Sequence, residues 1–415
     1  MTQDTPKPSA KNFNLVVLGQ IISVFGAALL RFALSLHVLE VTGSELMFAS
    51  LVALSNIPLL LAPLGGAIAD RFNRRDLMVI FDFSSSTIIF SFLLLLPVMR
   101  DSVVLIGIVM VLLHIISAFY TPAVTASIPL LVDDKKLVGA NGIVQAVQAL
   151  SGVAAPVLGG VLFNILGVQR LVIFSCVAFF LSAVMEIFIK IPFKKRELYG
   201  HIVPAVIRDM KEGFIYAFKR SFILKSMILA ALINLILTPL IIVGAPIIFY
   251  KTMQSSNSIY GIGMGTINFA AILGALTVGI FARRIKMNTL YRLILAVAIL
   301  LLPMALSVMP LMLGLGLYPP FMLFMLCVVP IAMILTITSI FVVTAVQKKT
   351  SNEYLGKVMA IIMAVAQCTS PIGQFTYGIL FREFSRTVYV PILLVSAVMF
   401  ALTVISKRML KDEEA

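Results

Sequence analysis

The sequence is poor in charge. Asp, Glu, Lys and Arg make up 12% of its 415 residues, against roughly 25% in an average soluble domain, and 60% of the residues are hydrophobic. A water-soluble fold cannot hide that much apolar surface. Acids are the scarcer sign, 18 against 32 bases, which leaves a net charge of +14. Cysteine is scarce too. Cys176, Cys327 and Cys368 all lie in apolar stretches without ligand spacing, so neither a disulfide framework nor a metal site is expected. No Gly-rich loop ends in Lys-Ser or Lys-Thr, which argues against ATP hydrolysis by this chain. A paired His-Glu metal motif, a Ser nucleophile elbow and a soluble catalytic domain are missing as well. The chain is therefore not expected to be an enzyme, and no cofactor is implied. The opening MTQDTPKPSAKN is polar and no small-residue cleavage site follows the first apolar block, so no removable signal peptide is expected.

What the sequence does contain is about a dozen apolar blocks, near 13 to 39, 46 to 70, 77 to 98, 102 to 124, 137 to 165, 170 to 190, 222 to 249, 259 to 282, 289 to 309, 319 to 345, 354 to 381 and 387 to 407. Each is long enough to cross a hydrocarbon core of ~30 Å at 1.5 Å per residue. A spanning backbone must satisfy its own hydrogen bonds, so the blocks are expected to be helices. With the N-terminus placed inside, 26 of the 32 Lys and Arg fall on the inner side, among them Arg71, Arg74, Arg75, Lys135, Lys136 and nine between Lys190 and Lys225. That asymmetry sets the topology, with both termini in the cytoplasm and the chain in the inner cell membrane. The basic charge then serves orientation and contact with anionic lipid, not nucleic acid.

Residues 191 to 221 separate spans 6 and 7 and read as a cytoplasmic linker. In its second part Val203, Ile207, Met210, Phe214 and Phe218 recur at helical spacing, the pattern of an amphipathic helix on the membrane surface. The chain thus divides into a six-helix bundle at 1–190, the linker at 191–221, and a second six-helix bundle at 222–415. At an offset of 218 residues, Leu137 to Phe163 aligns with Leu355 to Phe381, with identities at Leu137/Leu355, Ala146/Ala364, Val147/Val365, Gly160/Gly378, Leu162/Leu380 and Phe163/Phe381. This pairs span 5 with span 11, as a parallel duplication of six helices requires.

The loop between spans 2 and 3 reads Gly65-Gly66-Ala67-Ile68-Ala69-Asp70-Arg71-Phe72-Asn73-Arg74-Arg75. Glycines permit close helix contact, an acid sits at the membrane edge, and a tight basic turn follows that can dock on a neighbouring helix terminus. In this loop, and over essentially its whole length, the chain resembles the major facilitator superfamily. GQIISVFGAALLRFALSLHVLEVTGS in span 1 and FYTPAVTASIPLLVDDKKLVGANG after span 4 resemble the macrolide-efflux branch of the drug:proton antiporters. The resemblance implies an all-α fold of twelve transmembrane helices in two pseudo-symmetric bundles that alternate between inward-open and outward-open states, with the substrate site at the bundle interface. It also implies that Gly66, Asp70, Arg71, Arg74 and Arg75 form a conformational latch. The equivalent second-half loop ends in Arg283 and Arg284 but has no acid.

Span 5 carries Gly152, Pro156, Gly159 and Gly160, close to a Gly-Pro-x-x-Gly-Gly pattern associated with exporters of this superfamily, with Ala155 where the pattern has glycine. Small residues allow close packing and proline weakens the helix ladder, so antiport and plain helix packing both remain open. Ionisable residues inside spans are costly and are candidates for function. Arg31, deep in span 1, suits an anionic or carbonyl-bearing substrate or a protonatable acid, with a structural ion pair or an Arg snorkelling outward as the alternative. His37 and Glu40 lie further along the same helix, where an interfacial role is equally available. His114 near the middle of span 4 suits a substrate hydrogen bond or proton exchange, and equally a histidine satisfied within the bundle. Asp82 is expected to extend the latch by pairing with Arg71 or Arg75, with a proton site as the alternative. Glu186, four residues before Lys190, is expected to form a helix-surface ion pair. Asn56, Gln145, Gln148 and Asn234 are polar candidates for the cavity wall. The expected function is proton-coupled efflux of lipophilic or amphipathic small molecules by a monomer in the lipid bilayer. A dedicated exporter or flippase of one ligand, such as a siderophore, peptide or lysolipid, is the alternative, and a non-transporting membrane sensor is a further one.

Overall fold

The computed structural model describes residues 10–98, 102–133, 136–191, 202–282 and 287–410. Among these every regular element is helical. The first span is α1 (Ala10–Thr42). The second is broken: α2 (Glu45–Asn56) passes through a 3-10 turn at Ile57–Leu61 into α3 (Ala62–Arg71). Pro58 and Pro63 lack the N–H groups that an unbroken α-helix would use here, so the backbone tightens. The loop that follows is short. Asn73 caps α4 (Arg74–Leu95), its side chain accepting the Arg75 backbone N–H at 3.1 Å, and α5 (Val103–Leu131) comes next.

The helix α6 (Leu137–Ile187) is 51 residues long. At 1.5 Å per residue it would extend roughly 76 Å, more than twice the ~30 Å hydrocarbon core. Gly167 divides it, with φ 71° and ψ 169°, a conformation open essentially to glycine alone. The eleven long apolar stretches among the described residues therefore make twelve crossings, because Gly139–Ile187 supplies two.

Next comes α7 (Ile202–Lys219), the amphipathic part of the linker; residues 192–201 lie outside the described segments. The seventh span is irregular. It joins α8 (Ser221–Pro239), a π turn at Leu240–Gly244, α9 (Ala245–Ile247) and a second π turn at Ile248–Thr252. Pro239 and Pro246 withdraw two ladder donors from this stretch. The remaining helices are α10 (Asn257–Ala282), α11 (Tyr291–Ser307), the short α12 (Pro310–Leu313), α13 (Tyr318–Lys349), α14 (Asn352–Glu383) and α15 (Tyr389–Met409).

The chain forms two compact units. One takes the described residues of Met1–Val41 and Leu54–Arg208, the other those of Thr42–Ala53 and Asp209–Ala415. The units thus part at 208, inside the expected linker, and the start of α2 belongs with the second. There Lys251 Nζ forms an ion pair with the buried Glu45 and donates to Gly43 O at 2.5 Å. The part of α7 that follows Arg208 is also held within the second unit. Lys357 Nζ pairs with Glu212 at 2.5 Å, and the Tyr216 ring stacks on Tyr354 with centroids 4.5 Å apart.

In the first unit α4 packs on α5 and α6, and α3 packs on α5. The α3–α5 approach is close at Gly65, where an added Cβ would lie 2.5 Å from Ala118 O. Serine hydroxyls tie the helices together: Ser175 donates to Gly26 O at 3.1 Å, Ser182 to Gly19 O at 3.0 Å and Ser86 to Cys176 O at 3.1 Å. Each keeps a buried hydroxyl satisfied by a backbone carbonyl of a neighbouring helix, the interhelical contact that membrane bundles favour.

Candidate substrate cavity

Four helices of the first unit, α1, α4, α5 and α6, enclose a cavity of about 260 Å³. Its wall is apolar at Val24, Ala27, Ala28, Leu113, Ile116 and Phe179, and polar at Ser23, Arg31, Asp82, His114, Tyr120 and Gln148. These residues come from distant parts of the sequence. Helical packing puts one face of each helix on the same space.

Asp82 lines one end of it, and a second buried carboxyl, that of Glu186, is joined to the wall through Tyr120 without lining the cavity itself. Ser23 Oγ donates to Asp82 Oδ1 at 2.9 Å, and Tyr120 Oη donates to Glu186 Oε1 at 2.9 Å. Asp82 is 1% exposed and Glu186 is fully buried, and their second oxygens, Asp82 Oδ2 and Glu186 Oε2, have no hydrogen-bond partner among the described residues. The Ser182 hydroxyl faces Asp82 too, but its single proton goes to Gly19 O. The two carboxyls are close enough to interact electrostatically. Asp82, Ser23, Tyr120 and Glu186 thus form one polar cluster in an otherwise apolar interior.

At the other end stand Arg31 and His114. His114 is buried, and its Nδ1 lies 2.8 Å from Met110 O, one turn back on its own helix. A carbonyl only accepts, so Nδ1 carries the proton of that bond and Nε2 is left for other partners. Arg31 is within electrostatic range of the His114 ring. Gln148, Ser151 and Gly152 of α6 complete this part of the wall.

The structure places two acids differently from the expectation. Asp82 is bonded to Ser23, not to a loop arginine, because it lies eight residues into α4 from Arg74, roughly 12 Å of helix rise. Glu186 is buried against Tyr120, not paired on the surface with Lys190, because α6 ends at Ile187 and Lys190 has left the helix. Lys190 instead exchanges backbone hydrogen bonds with the Asn12 side chain.

In the loop after α3, Arg74 Nε donates to Ala69 O at 3.1 Å. Arg75 pairs with Asp76 at 2.9 Å and donates to Ile187 O, a carbonyl at the C-terminal end of α6 where a cation is favoured. Arg71 is half-buried at the end of α3. The Asp70 side chain, Lys135, Arg283 and Arg284 lie outside the described residues. Gly66 has no neighbouring atom within 4 Å of an added Cβ, so the close contact belongs to Gly65. On α6, Gly159 packs on Phe32 of α1, Gly160 is buried, Pro156 is half-buried, and Gly152 faces the cavity.

Other sequence candidates fall away from the cavity. Glu40 and Gln145 are exposed, and His37 and Asn56 are half-buried outside its lining. Asn234 is satisfied along its own helix, with Nδ2 donating to Ala230 O at 3.0 Å and Oδ1 accepting from Thr238 at 3.3 Å. Sequence reasoning missed Ser23 and Tyr120, the hydroxyl donors to the acids. A serine or tyrosine in an apolar helix carries no pattern that distinguishes it from packing. The one available signal was the presence of Asp82 and Glu186 deep in spans, since a buried carboxyl needs donors.

The sequence profile of the Major Facilitator Superfamily matches residues 16–374. Macrolide efflux protein A of Streptococcus pyogenes is 24% identical over 371 residues, which are 87% of each chain. The protein of the same name from Enterococcus faecalis is 24% identical over 320 residues, 75% of this chain and 93% of that one. Among solved structures, the nucleoside transporter NupG superimposes with a TM-score of 0.74 at 14% identity, covering 96% of this chain and 100% of its own. A bacterial homologue of the iron transporter ferroportin, in an inward-facing state, gives a TM-score of 0.70 at 16% identity, covering 95% and 99%. At such identities the structural likeness establishes the fold. The chain is a member of the Major Facilitator Superfamily, a multi-pass membrane transporter and not an enzyme.

Proposed function

We propose that the protein exports lipophilic or amphipathic small molecules across the inner cell membrane in exchange for protons, with both termini in the cytoplasm. The observation that carries this reading is the carboxyl pair, Asp82 and Glu186, each buried with one oxygen bonded to a hydroxyl and the other without a partner among the described residues. A buried carboxylate that lacks a full set of partners is costly. Arrival or departure of a proton changes that cost, and a conformation that exposes the site differently is then favoured or disfavoured. Asp82 stands on the cavity wall, so proton and substrate occupy one compartment. The similarity to proteins named for macrolide efflux supports export as the direction. In this reading the six-helix halves at 1–190 and 222–415, joined by 191–221, alternate access as a monomer, and the Gly66, Asp70, Arg71, Arg74 and Arg75 loop acts as the latch.

A second reading, a dedicated exporter or flippase for one ligand, is favoured by Arg31, because a fixed cation in the cavity suits one defined group. Inverted vesicles made acidic inside test the first. They should accumulate a labelled macrolide or a lipophilic dye, and Asp82→Asn or Glu186→Gln should lower that uptake at least tenfold. Uptake at the unmodified rate by both variants would remove the pair from the mechanism. Uptake of a single compound class out of a varied panel would select the dedicated transporter.

A further inference from the structure

Arg31 is the charged group that the coupling site leaves over. It stands eleven residues, roughly 16 Å, from the end of α1. Its guanidinium is charged at any physiological pH and has five N–H donors to satisfy. Among the described residues it forms no ion pair and no hydrogen bond, although it lines the cavity. The acid on the same wall does not serve it. Asp82 is held by Ser23, eight residues before Arg31 and roughly 12 Å along α1. His114, the titratable neighbour, has committed its Nδ1 proton to Met110 O and offers no negative charge. An unpaired cation inside a membrane bundle is expensive to keep. A partner that enters with the ligand removes the expense.

We propose that the ligand of this cavity presents an anionic oxygen group, a carboxylate or a phosphate, to Arg31 while its apolar body lies along Ala27, Ala28, Leu113 and Ile116. The inference rests on the second reading above, a dedicated ligand bound in this cavity at Arg31, and deepens it by naming the ligand class: an acidic amphiphile. Gln148 and the His114 Nε2 are placed to take hydroxyl or amide groups next to the anion. The anion has two sources, a free acidic amphiphile or the headgroup of an anionic lipid.

The test is equilibrium binding to the full-length protein in phosphatidylcholine nanodiscs, without any gradient, so that failure of proton-driven export and failure of this inference are seen separately. The probes are dansylaminoundecanoic acid and its methyl ester, which share one apolar body. The wild type should bind the acid at least about tenfold more tightly than the ester, the size of one charge-assisted hydrogen bond. Arg31→Gln should bring that ratio to about one by weakening the acid far more than the ester. Arg31→Lys should keep part of the preference. Adding phosphatidylglycerol to the discs separates the sources. Weaker binding of the acid to wild type but not to Arg31→Gln assigns the site to lipid headgroups, and no change assigns it to free amphiphiles. A wild-type ratio near one, or a ratio that Arg31→Gln leaves in place, would overturn the proposal.

Discussion

Removing one oxygen atom tests the carboxyl cluster more directly than removing either acid. Tyr120→Phe deletes the donor to Glu186 Oε1, a bond of 2.9 Å between two buried side chains. Glu186 Oε2 has no partner among the described residues, so the variant leaves the carboxyl with none. The magnitude depends on its charge. A hydrogen bond to an ionised group contributes about 1.5–3 kcal/mol, and one between neutral groups about 1 kcal/mol. Unfolding by SDS in mixed micelles, monitored by circular dichroism, would read the difference. The decisive comparison is a double-mutant cycle. In a Glu186→Met background the hydroxyl has lost its acceptor, so Tyr120→Phe should be neutral or slightly stabilising, and the coupling between the two sites should be about 1–3 kcal/mol. If Tyr120→Phe costs less than about 0.5 kcal/mol in the native background, or costs the same in both, the hydroxyl does not hold the carboxyl and the cluster argument fails.

Two further substitutions probe the frame around the cavity. Gly167→Ala forces a side chain onto φ 71° and ψ 169° and should destabilise the protein by about 1–3 kcal/mol in the same unfolding assay; an unchanged midpoint would mean that α6 is not divided there. Gly65→Ala and Gly66→Ala should part company: the first drives a methyl group into Ala118 O and lowers folded yield and stability, whereas the second meets no atom and folds normally, so that any transport defect it shows belongs to the cycle. Equal stability losses for the two glycines would refute the assignment of the close contact to Gly65.

The helical crossings could be read from the sequence because membrane burial writes itself as length. An apolar run of 20 or more residues has one stable structure in a bilayer. The boundary between spans 5 and 6 was legible for the same reason, although the device that makes it, the backbone of Gly167, was not. A glycine among many small residues gives no hint of its φ. The site was legible only by residue type. Arg31, Asp82, His114 and Glu186 stand out as ionisable groups in apolar helices, but their partners depend on which helix faces meet. Nearness in sequence points Asp82 at the loop arginines, and α4 carries it two turns away. Helical spacing points Glu186 at Lys190, and the helix ends before that spacing applies. Asn234 looked like a cavity residue because an amide in a span must bond something; its own helix and Thr238 satisfy it.

The grouping of Thr42–Ala53 with the second unit bears on how the protein can be made in pieces. A fragment that begins after residue 208 would carry Lys251 without Glu45 and leave Gly378 without the surface of Ala49 on which it packs. Genes split at the linker are a common way to study paired bundles. Here the downstream product would be born lacking a segment that lies more than 150 residues upstream. Its maturation would wait for the upstream product, and the natural place to cut this chain is not the place where its sequence divides.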